Sequence, residues 1–421
     1  MKKEIYEKYF FFFISALPIS IIVGPSISLI NVLVLNILFL IALFINKDFN
    51  FLKDYSVKLI IFLYLYLIFN SFISIDYEIG LKRNIGFLRV ILLFFCINYY
   101  FYFYQNKKNF LKFWTIIFII LVFDVFLEKY SGSNLFGWGA YEKNGVTQIY
   151  AERVVSFFKD EPIVGAFLSG FIFVIFGNLL MNNDKKFLPV LFLMISFFAI
   201  LVTGERANTI KVFIGILVFF YLADFFNVKT KISIFIIFAL IISLSLSQSK
   251  YLNERYLGQL SNENTEKISK TQKILNHIDK SLYFKLYNSG YHVFKNNKIF
   301  GVGNKNYRVE TCTEERYEKE KSYFCSTHPH QIYVEFLSEH GLLGTIILLS
   351  IFFFIMLKIV KEIIKTQNYL QLGAFTFVLI NFIPIIPSGT FFGDFNLTIF
   401  WINFSIMIAC NKNTNIFRLK K

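Results

Sequence analysis

Apolar runs of about 20 residues constrain this chain more than any other feature. Two of them read SISLINVLVLNILFLIALFI (26–45) and IGFLRVILLFFCINYYFYFY (85–104). A helix of about 20 residues rises enough to cross roughly 30 Å of hydrocarbon. The chain is also 56% hydrophobic and contains 56 Phe, more apolar side chain than a water-soluble domain uses. The sequence therefore predicts an all-α polytopic membrane protein.

Hydropathy predicts about twelve transmembrane helices in one membrane domain, residues 1–421. The N-terminal stretch resembles a signal peptide, but no small-residue cleavage site follows it, so it is interpreted as a retained first span. Only Gly24-Pro25 separates the first two spans. The predicted spans are 9–24, 26–45, 58–75, 85–104, 110–128, 162–180, 187–203, 208–223, 232–248, 333–357, 370–387 and 395–410.

Lysine and arginine fix the predicted orientation, because positively charged loops stay in the cytoplasm. With the N-terminus inside, the short outer loops hold only Lys82, Arg83 and Arg206. Two longer segments, 129–161 and a large loop 249–332 between spans nine and ten, then lie on the outer side of the membrane. The cytoplasmic segments contain Lys2, Lys3, Lys8, Lys47, Lys53, Lys58, Lys107, Lys108, Lys112, Lys185, Lys186, Lys229, Lys231, Lys358, Lys361, Lys365, Lys412, Arg418, Lys420 and Lys421.

The net charge of +15 does not indicate nucleic-acid binding, because the basic residues are scattered among short loops rather than gathered on one soluble face. Within the large loop, Ile278, Leu282, Leu286 and Tyr287 recur at helical spacing. This pattern predicts an amphipathic helix that lies along the outer membrane surface or packs on the rest of the loop.

A histidine motif stands where the large loop enters the tenth span. His330-Gln331 is followed by nine residues and then by Gly341-Leu342-Leu343-Gly344. This spacing resembles the signature of the bacterial O-antigen ligase family. Further segments resemble the branch of that family that also holds O-antigen and exopolysaccharide polymerases: RVVSFFKDEPIVGAFL (153–168), TGERANTI (203–210), GVG (301–303) and CSTHPH (325–330).

The resemblance implies a membrane glycosyltransferase with a GT-C-like arrangement of helices, located in the bacterial inner membrane with its active site and the large loop on the periplasmic face. Such enzymes take a glycan from an undecaprenyl diphosphate carrier and join it to an acceptor hydroxyl with inversion, using no nucleotide sugar, essential metal or other cofactor. The acceptor is lipid A core, a protein in oligosaccharyltransferase relatives, or another lipid-linked glycan, so ligase and polymerase both stay open. A partner that regulates chain length is a further open alternative.

His330 is the predicted catalytic residue, as a base or as a group that orients the substrate, because imidazole suits proton transfer near neutral pH. The alternative is a loop histidine that caps the tenth helix. His328 is interpreted as its structural neighbour in the cavity. A zinc site formed by the two histidines would have too few ligands.

Arginines are the expected ligands of the carrier diphosphate, since a guanidinium stabilises the charge that the leaving group gains. Arg206 matches the family, with an ion pair to Glu205 as the alternative. Arg153 also matches, or else anchors the chain at the interface. The family carries another arginine in the large loop, but DKSLYFKLYNSG (279–290) has none, which leaves Arg255 and Arg308 as substitutes.

Two glutamates and four cysteines complete the set of candidate residues. Glu335 and Glu339 share one helical face and either line the cavity or form a solvated or ion-paired face. Cys312 and Cys325 lie in the outer loop, where an oxidising periplasm would allow a disulfide ahead of His330. Cys96 and Cys410 are interpreted as packed thiols.

A transporter or flippase of lipid-linked glycans is the rival function, since it would also have about twelve spans and basic cavity residues. Transporters often show paired inverted halves with broken spans near the midplane. The sequence shows no such pairing, and its one large late outer loop favours an enzyme working at one face.

Overall fold

Helices make up most of this computed structural model, which describes residues 2–104, 109–139, 142–143, 146–147, 153–159, 161–183, 185, 187–258 and 281–418. A two-residue antiparallel ladder pairs β1 (Glu142–Lys143) with β2 (Val146–Thr147). Single 3-10 turns cover Asn50–Lys53, Ser156–Phe158 and Ile416–Arg418. The α-helices are α1 (Lys2–Ser15), α2 (Leu17–Val23), α3 (Pro25–Asn46), α4 (Tyr55–Phe72), α5 (Tyr77–Phe103), α6 (Phe110–Ser131), α7 (Val164–Asn182), α8 (Phe187–Val202), α9 (Arg206–Leu222), α10 (Val228–Gln248), α11 (Lys250–Tyr256), α12 (Leu282–Asn296), α13 (Tyr307–Cys312), α14 (Glu314–Lys319), α15 (Ile332–Thr366), α16 (Tyr369–Asn381) and α17 (Asp394–Ala409).

Seven of the described helices are long and apolar enough to cross a membrane, namely α3, α4, α5, α6, α7, α10 and α15. The pair formed by α1 and α2 would be an eighth, but it bends by 42° at its break. The first predicted span is therefore not one straight helix. The predicted all-helical, multi-pass architecture is confirmed, whereas the number of about twelve spans stays a prediction.

Four of the twelve predicted spans correspond to shorter helices. The helices α8 and α17 have 16 residues each, α9 has 17 and α16 has 13. The predicted span 370–387 is wrong at its end, because α16 stops at Asn381. Pro384 and Pro387 follow, and proline cannot continue a helix without losing a backbone hydrogen bond. The segment 382–393 instead forms turns.

The described part of the large loop alternates helices with turns and bends. It contains α11 to α14, while the polar stretch 261–273 and Ile278 lie outside the described residues. The predicted amphipathic pattern corresponds to α12, which begins after Ser281. The Ser281 hydroxyl caps this helix by accepting a hydrogen bond from the Phe284 N–H (3.1 Å).

A break inside α15 joins the large loop to the helix bundle. Gly341 has left-handed φ (62°) with ψ of −169°, which interrupts the helix. The N–H groups of residues 342–343 donate to the carbonyls of 298–299 (2.8 and 3.1 Å), and those of 302–303 donate to the carbonyls of 338–339 (3.0 and 2.8 Å). A Cβ at Gly341 would lie 2.4 Å from the backbone of that loop. The family motif therefore has a structural role, since only glycine permits this approach.

Contacts between loops define one end of the bundle, here called the histidine end (segments 73–76, 302–306, 328–331 and 385–394). The Ile75 N–H donates to the Val302 carbonyl (3.0 Å), and the Ser388 N–H donates to the His330 carbonyl (2.8 Å). A small apolar core of its own stabilises this end. Its members are Val293, Val302, Tyr307 and Tyr323.

The opposite end, here called the lysine end, comprises segments 46–54, 222–231, 358–369 and 410–418. Arg418 pairs with Asp54 (2.8 Å), and the Tyr369 hydroxyl donates to Asp224 (2.8 Å). Most of the lysines predicted to be cytoplasmic and described by the structure lie in these segments. Lysines are thus concentrated at the lysine end of the bundle, whereas His328 and His330 lie at the histidine end.

Glycines allow α7 and α16 to pack with backbones almost in contact. A Cβ at Gly177 would lie 2.1 Å from the Tyr369 carbonyl oxygen, and one at Gly373 would lie 2.1 Å from the Phe173 carbonyl oxygen. Small residues at such crossings are typical of helices that associate in membranes.

Gly177→Ala should destabilise the protein by about 1–3 kcal/mol, because the added methyl group overpacks a backbone contact. Gly86→Ala is the matched control, since its Cβ would meet only the Arg89 Nη1 atom at 3.8 Å. Thermal unfolding of both variants in detergent measures the difference. Equal melting temperatures would contradict the close helix crossing.

Candidate active site

His330 lies at the histidine end, directly before α15. Its φ of 56° is left-handed, a conformation that costs energy for a residue with a side chain. The hydrogen bond from the Ser388 N–H to the His330 carbonyl (2.8 Å) holds this backbone. Gln331 caps α15, since its side chain accepts from the Val334 N–H (2.9 Å). The cap is therefore Gln331, and the His330 side chain is left for another role.

The two predicted histidines are in ring contact. The ring centroids of His328 and His330 lie 3.9 Å apart. His328 is buried and its Nδ1 atom is 2.9 Å from the Thr327 hydroxyl, while His330 is half-buried. His328 therefore supports one face of the His330 ring.

Burial keeps both imidazoles neutral near pH 7. It lowers the pKa of His330 below its usual value, with a hydrogen bond to the Ser388 backbone acting in the opposite direction. The pKa of His328 falls to about 3, because burial, His330 and Lys305 all disfavour its charged form. A neutral His330 can accept a proton.

A disulfide between Cys312 and Cys325 connects the end of α13 to the segment that leads into the histidines. It closes a sequence separation of 13 residues. Cys96, in contrast, is a free thiol buried in α5. The covalent link restricts the chain three residues before His328.

Glu335 and Glu339 are fully buried on α15 rather than solvated. Glu335 accepts hydrogen bonds from the Thr390 hydroxyl (2.5 Å) and the Phe391 N–H (2.9 Å). The Glu339 Oε1 atom accepts a longer one from the Tyr307 N–H (3.4 Å). Both carboxylates thus attach loop segments of the histidine end to α15.

Lys305 is a cation of this region that the sequence analysis missed. Its ammonium donates to the Thr390 hydroxyl (3.1 Å) and interacts electrostatically with Glu335, Glu339 and His328. The only sequence signal is its place after the glycine turn at 301–304. That signal does not reveal which helix the turn contacts.

Glu205 holds the start of α7 instead of pairing with Arg206. Its carboxylate accepts from the Gly165 N–H (2.6 Å), the Ala166 N–H (3.1 Å) and the Asn208 amide (2.7 Å). Burial raises the pKa of Glu205 to about 7, although the Gly165 hydrogen bond and Arg153 act to lower it. The Glu205 carboxylate makes these three hydrogen bonds, and no ion pair between it and Arg206 is seen.

Arg206 and Arg255 are joined through the backbone. Arg206 donates to the Arg255 carbonyl (3.2 Å), and the Arg255 Nε–H donates to the Gly204 carbonyl (3.1 Å). Arg153 donates to the Pro162 carbonyl (3.2 Å), and its buried Nε atom has no hydrogen-bond partner among the described residues. These three side chains form the arginine cluster (Arg153, Arg206 and Arg255).

Among the described residues, no carboxylate is in direct contact with the arginine cluster, although Arg153 is close enough to Glu205 to lower its pKa. Burial and then the charge of Arg255 lower the pKa of Arg206, with Arg153 contributing in the same direction. In the part of the chain that the structure describes, no carboxylate lies within 4.0 Å of a nitrogen of any of the three. An anion bound here would therefore be strongly favoured.

Tyr283 links the arginine cluster to the histidines. Its ring centroid lies 6.2 Å from that of His330, and it is close enough to Arg206 for the two side chains to interact electrostatically. The structure thus brings the predicted residues His330, Arg206, Arg255 and Arg153 into one region. Arg308 is exposed on α13, and no described contact joins it to them.

A cavity of about 500 Å³ lies beside this region and does not include the histidines. It opens at the break between α2 and α3, and its lining includes Arg89, Asp394 and Lys159. The segment that carries Arg153 also supplies Phe157 and Phe158 to the cavity wall.

Among the described residues, no group of three His, Cys, Asp or Glu side chains is placed to hold a metal ion. The two histidines alone would supply only two ligands to a zinc ion, which is fewer than protein zinc sites use.

Comparison with known protein families gives one match. Residues 190–349 match the family model described as O-antigen ligase. This segment carries an O-antigen ligase domain. The domain extends from α8 into α15 and contains Arg206, Arg255 and His330, whereas Arg153 precedes it. No curated protein matches the chain significantly.

The O-antigen ligase domain confirms the family resemblance that the histidine motif and TGERANTI indicated. At family level it implies a membrane glycosyltransferase of ligase or polymerase type, acting on lipid-linked glycans. It does not favour the transporter alternative.

Replacing both cysteines of the disulfide by serine should lower the free energy of unfolding by up to about 3 kcal/mol, because a closed loop of this size restricts the unfolded chain. Thermal unfolding in detergent measures this. Cys410→Ser, a half-exposed position beyond α17, is the matched control. A double variant as stable as the control would contradict a stabilising role for the disulfide.

Proposed function

We propose that this protein transfers a glycan from an undecaprenyl diphosphate carrier to an acceptor hydroxyl during surface polysaccharide assembly. The observation that carries the proposal is a half-buried histidine, neutral near pH 7, whose ring lies 6.2 Å from that of Tyr283, a residue that also interacts electrostatically with Arg206. His330, Arg206 and Arg255 lie within the segment that matches the O-antigen ligase model. An arginine cluster fits a diphosphate, and a neutral imidazole fits a hydroxyl that must lose its proton.

In the proposed reaction, the acceptor oxygen forms a bond to the anomeric carbon on the face opposite the diphosphate. The bond between the anomeric carbon and the diphosphate oxygen breaks, and its electron pair stays on that oxygen. The acceptor proton passes to His330. Arg206 and Arg255 stabilise the negative charge that develops on the leaving diphosphate.

The arrangement supports inversion, because the group that receives the proton and the groups that hold the leaving diphosphate are separate. Tyr283 is near both, with its ring 6.2 Å from that of His330 and an electrostatic interaction with Arg206. A single displacement needs no covalent intermediate with the protein, and no nucleophilic side chain is required. His330 either removes the proton or orients the acceptor hydroxyl.

The histidine end is proposed to face the periplasm of the inner membrane. The lysine end carries the lysines that the positive-inside rule assigns to the cytoplasm. A disulfide at the histidine end also suits an oxidising compartment. The carrier diphosphate would then dock at the outer surface of the membrane, at the level of the arginine cluster.

His330→Ala should reduce glycan transfer by about 10²–10⁴-fold, the usual effect of removing a positioned acid or base. The measurement is the cell-surface glycan of a deletion strain carrying the variant, separated on a gel, with protein level checked by immunoblot. His292→Ala is the matched control, since His292 lies on α12 and faces Glu320 at 3.8 Å. Wild-type glycan from the His330 variant would overturn the catalytic assignment.

The same deletion strain distinguishes the two reactions within the proposal. Loss of a polymerase leaves caps of a single repeat unit on the acceptor. Loss of a ligase leaves long chains on the carrier lipid. The two gel patterns differ in both length and attachment, so one gel with a parallel lipid extract assigns the acceptor.

The rate of transfer should fall on the acid side with a midpoint below the usual histidine pKa of about 6.5, because burial lowers the pKa of His330 and only the neutral ring accepts a proton. Above that midpoint the base is available, and below it protonation removes the base. Initial rates from pH 4 to 8 on purified protein, at donor concentrations far below KM, would show this, because kcat/KM reports the pKa of the free enzyme. A midpoint at or above 6.5 would contradict a buried neutral base.

A further inference from the structure

The helix α12 carries Tyr283, the aromatic residue near both His330 and Arg206, and packing contacts hold this helix in place. A Cβ at Gly290 would lie 2.3 Å from the Val334 side chain and 3.0 Å from the Pro329 side chain, so α12 packs directly on the histidine segment. The Tyr287 hydroxyl also donates to the Ile385 carbonyl (3.1 Å). The packing of α12 on Pro329 and Val334, which flank His330, therefore sets where Tyr283 lies relative to His330.

Ser289 adds a second attachment of α12. Its hydroxyl accepts from the Tyr307 hydroxyl (2.8 Å) and from the Phe324 N–H (2.9 Å). Since Phe324 directly precedes Cys325, the disulfide segment and α12 are also joined. Residues 287–290 of α12 are thus attached to three neighbouring segments of the chain.

Tyr283 is the residue of α12 that reaches both halves of the site. Its ring lies 6.2 Å from the His330 ring, and its phenol interacts electrostatically with Arg206. The side chain is 40% exposed, and its hydroxyl has no hydrogen-bond partner among the described residues. A free donor therefore stands next to cations that lack an anion.

We propose that the Tyr283 hydroxyl donates a hydrogen bond to the diphosphate of the polyprenyl carrier, beside Arg206, while its ring separates that diphosphate from His330. This inference rests on the proposed function and adds a binding residue to it.

A phenol is well suited to this position. The guanidinium groups of the arginine cluster already repel one another, so a further cation would destabilise the protein before the donor binds. A neutral hydroxyl adds a short hydrogen bond to a phosphate oxygen without adding charge.

The test measures the affinity of undecaprenyl diphosphate for the full chain in nanodiscs, with four proteins: wild type, Tyr283→Phe, Arg206→Ala and Tyr291→Phe. Tyr291 is the matched control, because it is exposed on the same helix and its ring packs against His292 instead of His330. Tyr283→Phe keeps the ring and removes only the oxygen, so the packing of α12 is retained.

Tyr283→Phe should weaken binding about tenfold or more, as expected for a lost hydrogen bond to a charged group. Arg206→Ala should weaken it as well, and Tyr291→Phe should bind like wild type. Wild-type affinity in Tyr283→Phe alongside weak binding by Arg206→Ala would overturn this inference and leave the proposed function standing. An equal loss in both tyrosine variants would overturn it too, whereas no binding by wild type would overturn both proposals.

Discussion

The break in α15 at Gly341 is the constraint on which the histidine end depends. A helix interrupted in an apolar bundle leaves backbone N–H and carbonyl groups that must find partners, since leaving them unpaired costs several kcal/mol. The residues 298–303 supply those partners on both sides of the break. The large loop is therefore attached to the bundle by backbone groups, and Lys305 and Glu339 take their positions from that attachment.

The distribution of carboxylates explains why an anion site can exist here. Glu205 is bound to the first N–H groups of α7, and Glu335 is bound to Thr390 and the backbone that follows it. Each carboxylate holds two parts of the fold together, and Glu205 interacts with Arg153 without a direct contact. Among the described residues, no carboxylate lies within 4.0 Å of Arg206 or Arg255, so an anion bound there would meet their positive charge.

Local patterns in the sequence predicted the helices, but not the long-range contacts between side chains. The apolar runs located α3 to α7 because hydropathy is a local property, whereas His330 and Arg206, which the motif and TGERANTI singled out, stay predictions. The contact of Lys305 with Thr390 spans 85 residues of sequence, and that of Tyr283 with His330 depends on how α12 packs. The end of the predicted span 370–387 was wrong because hydropathy ignored its prolines.

The protonation of His330 connects the two halves of the site. In the free protein, burial rather than a neighbouring charge keeps the imidazole neutral. A diphosphate docked at the arginine cluster would bring negative charge to the far side of Tyr283, and nearby negative charge favours the imidazolium form. Donor binding would therefore make His330 a stronger base than it is in the empty site. An acceptor hydroxyl would then lose its proton most readily when a donor is already in place, which limits futile reaction with water.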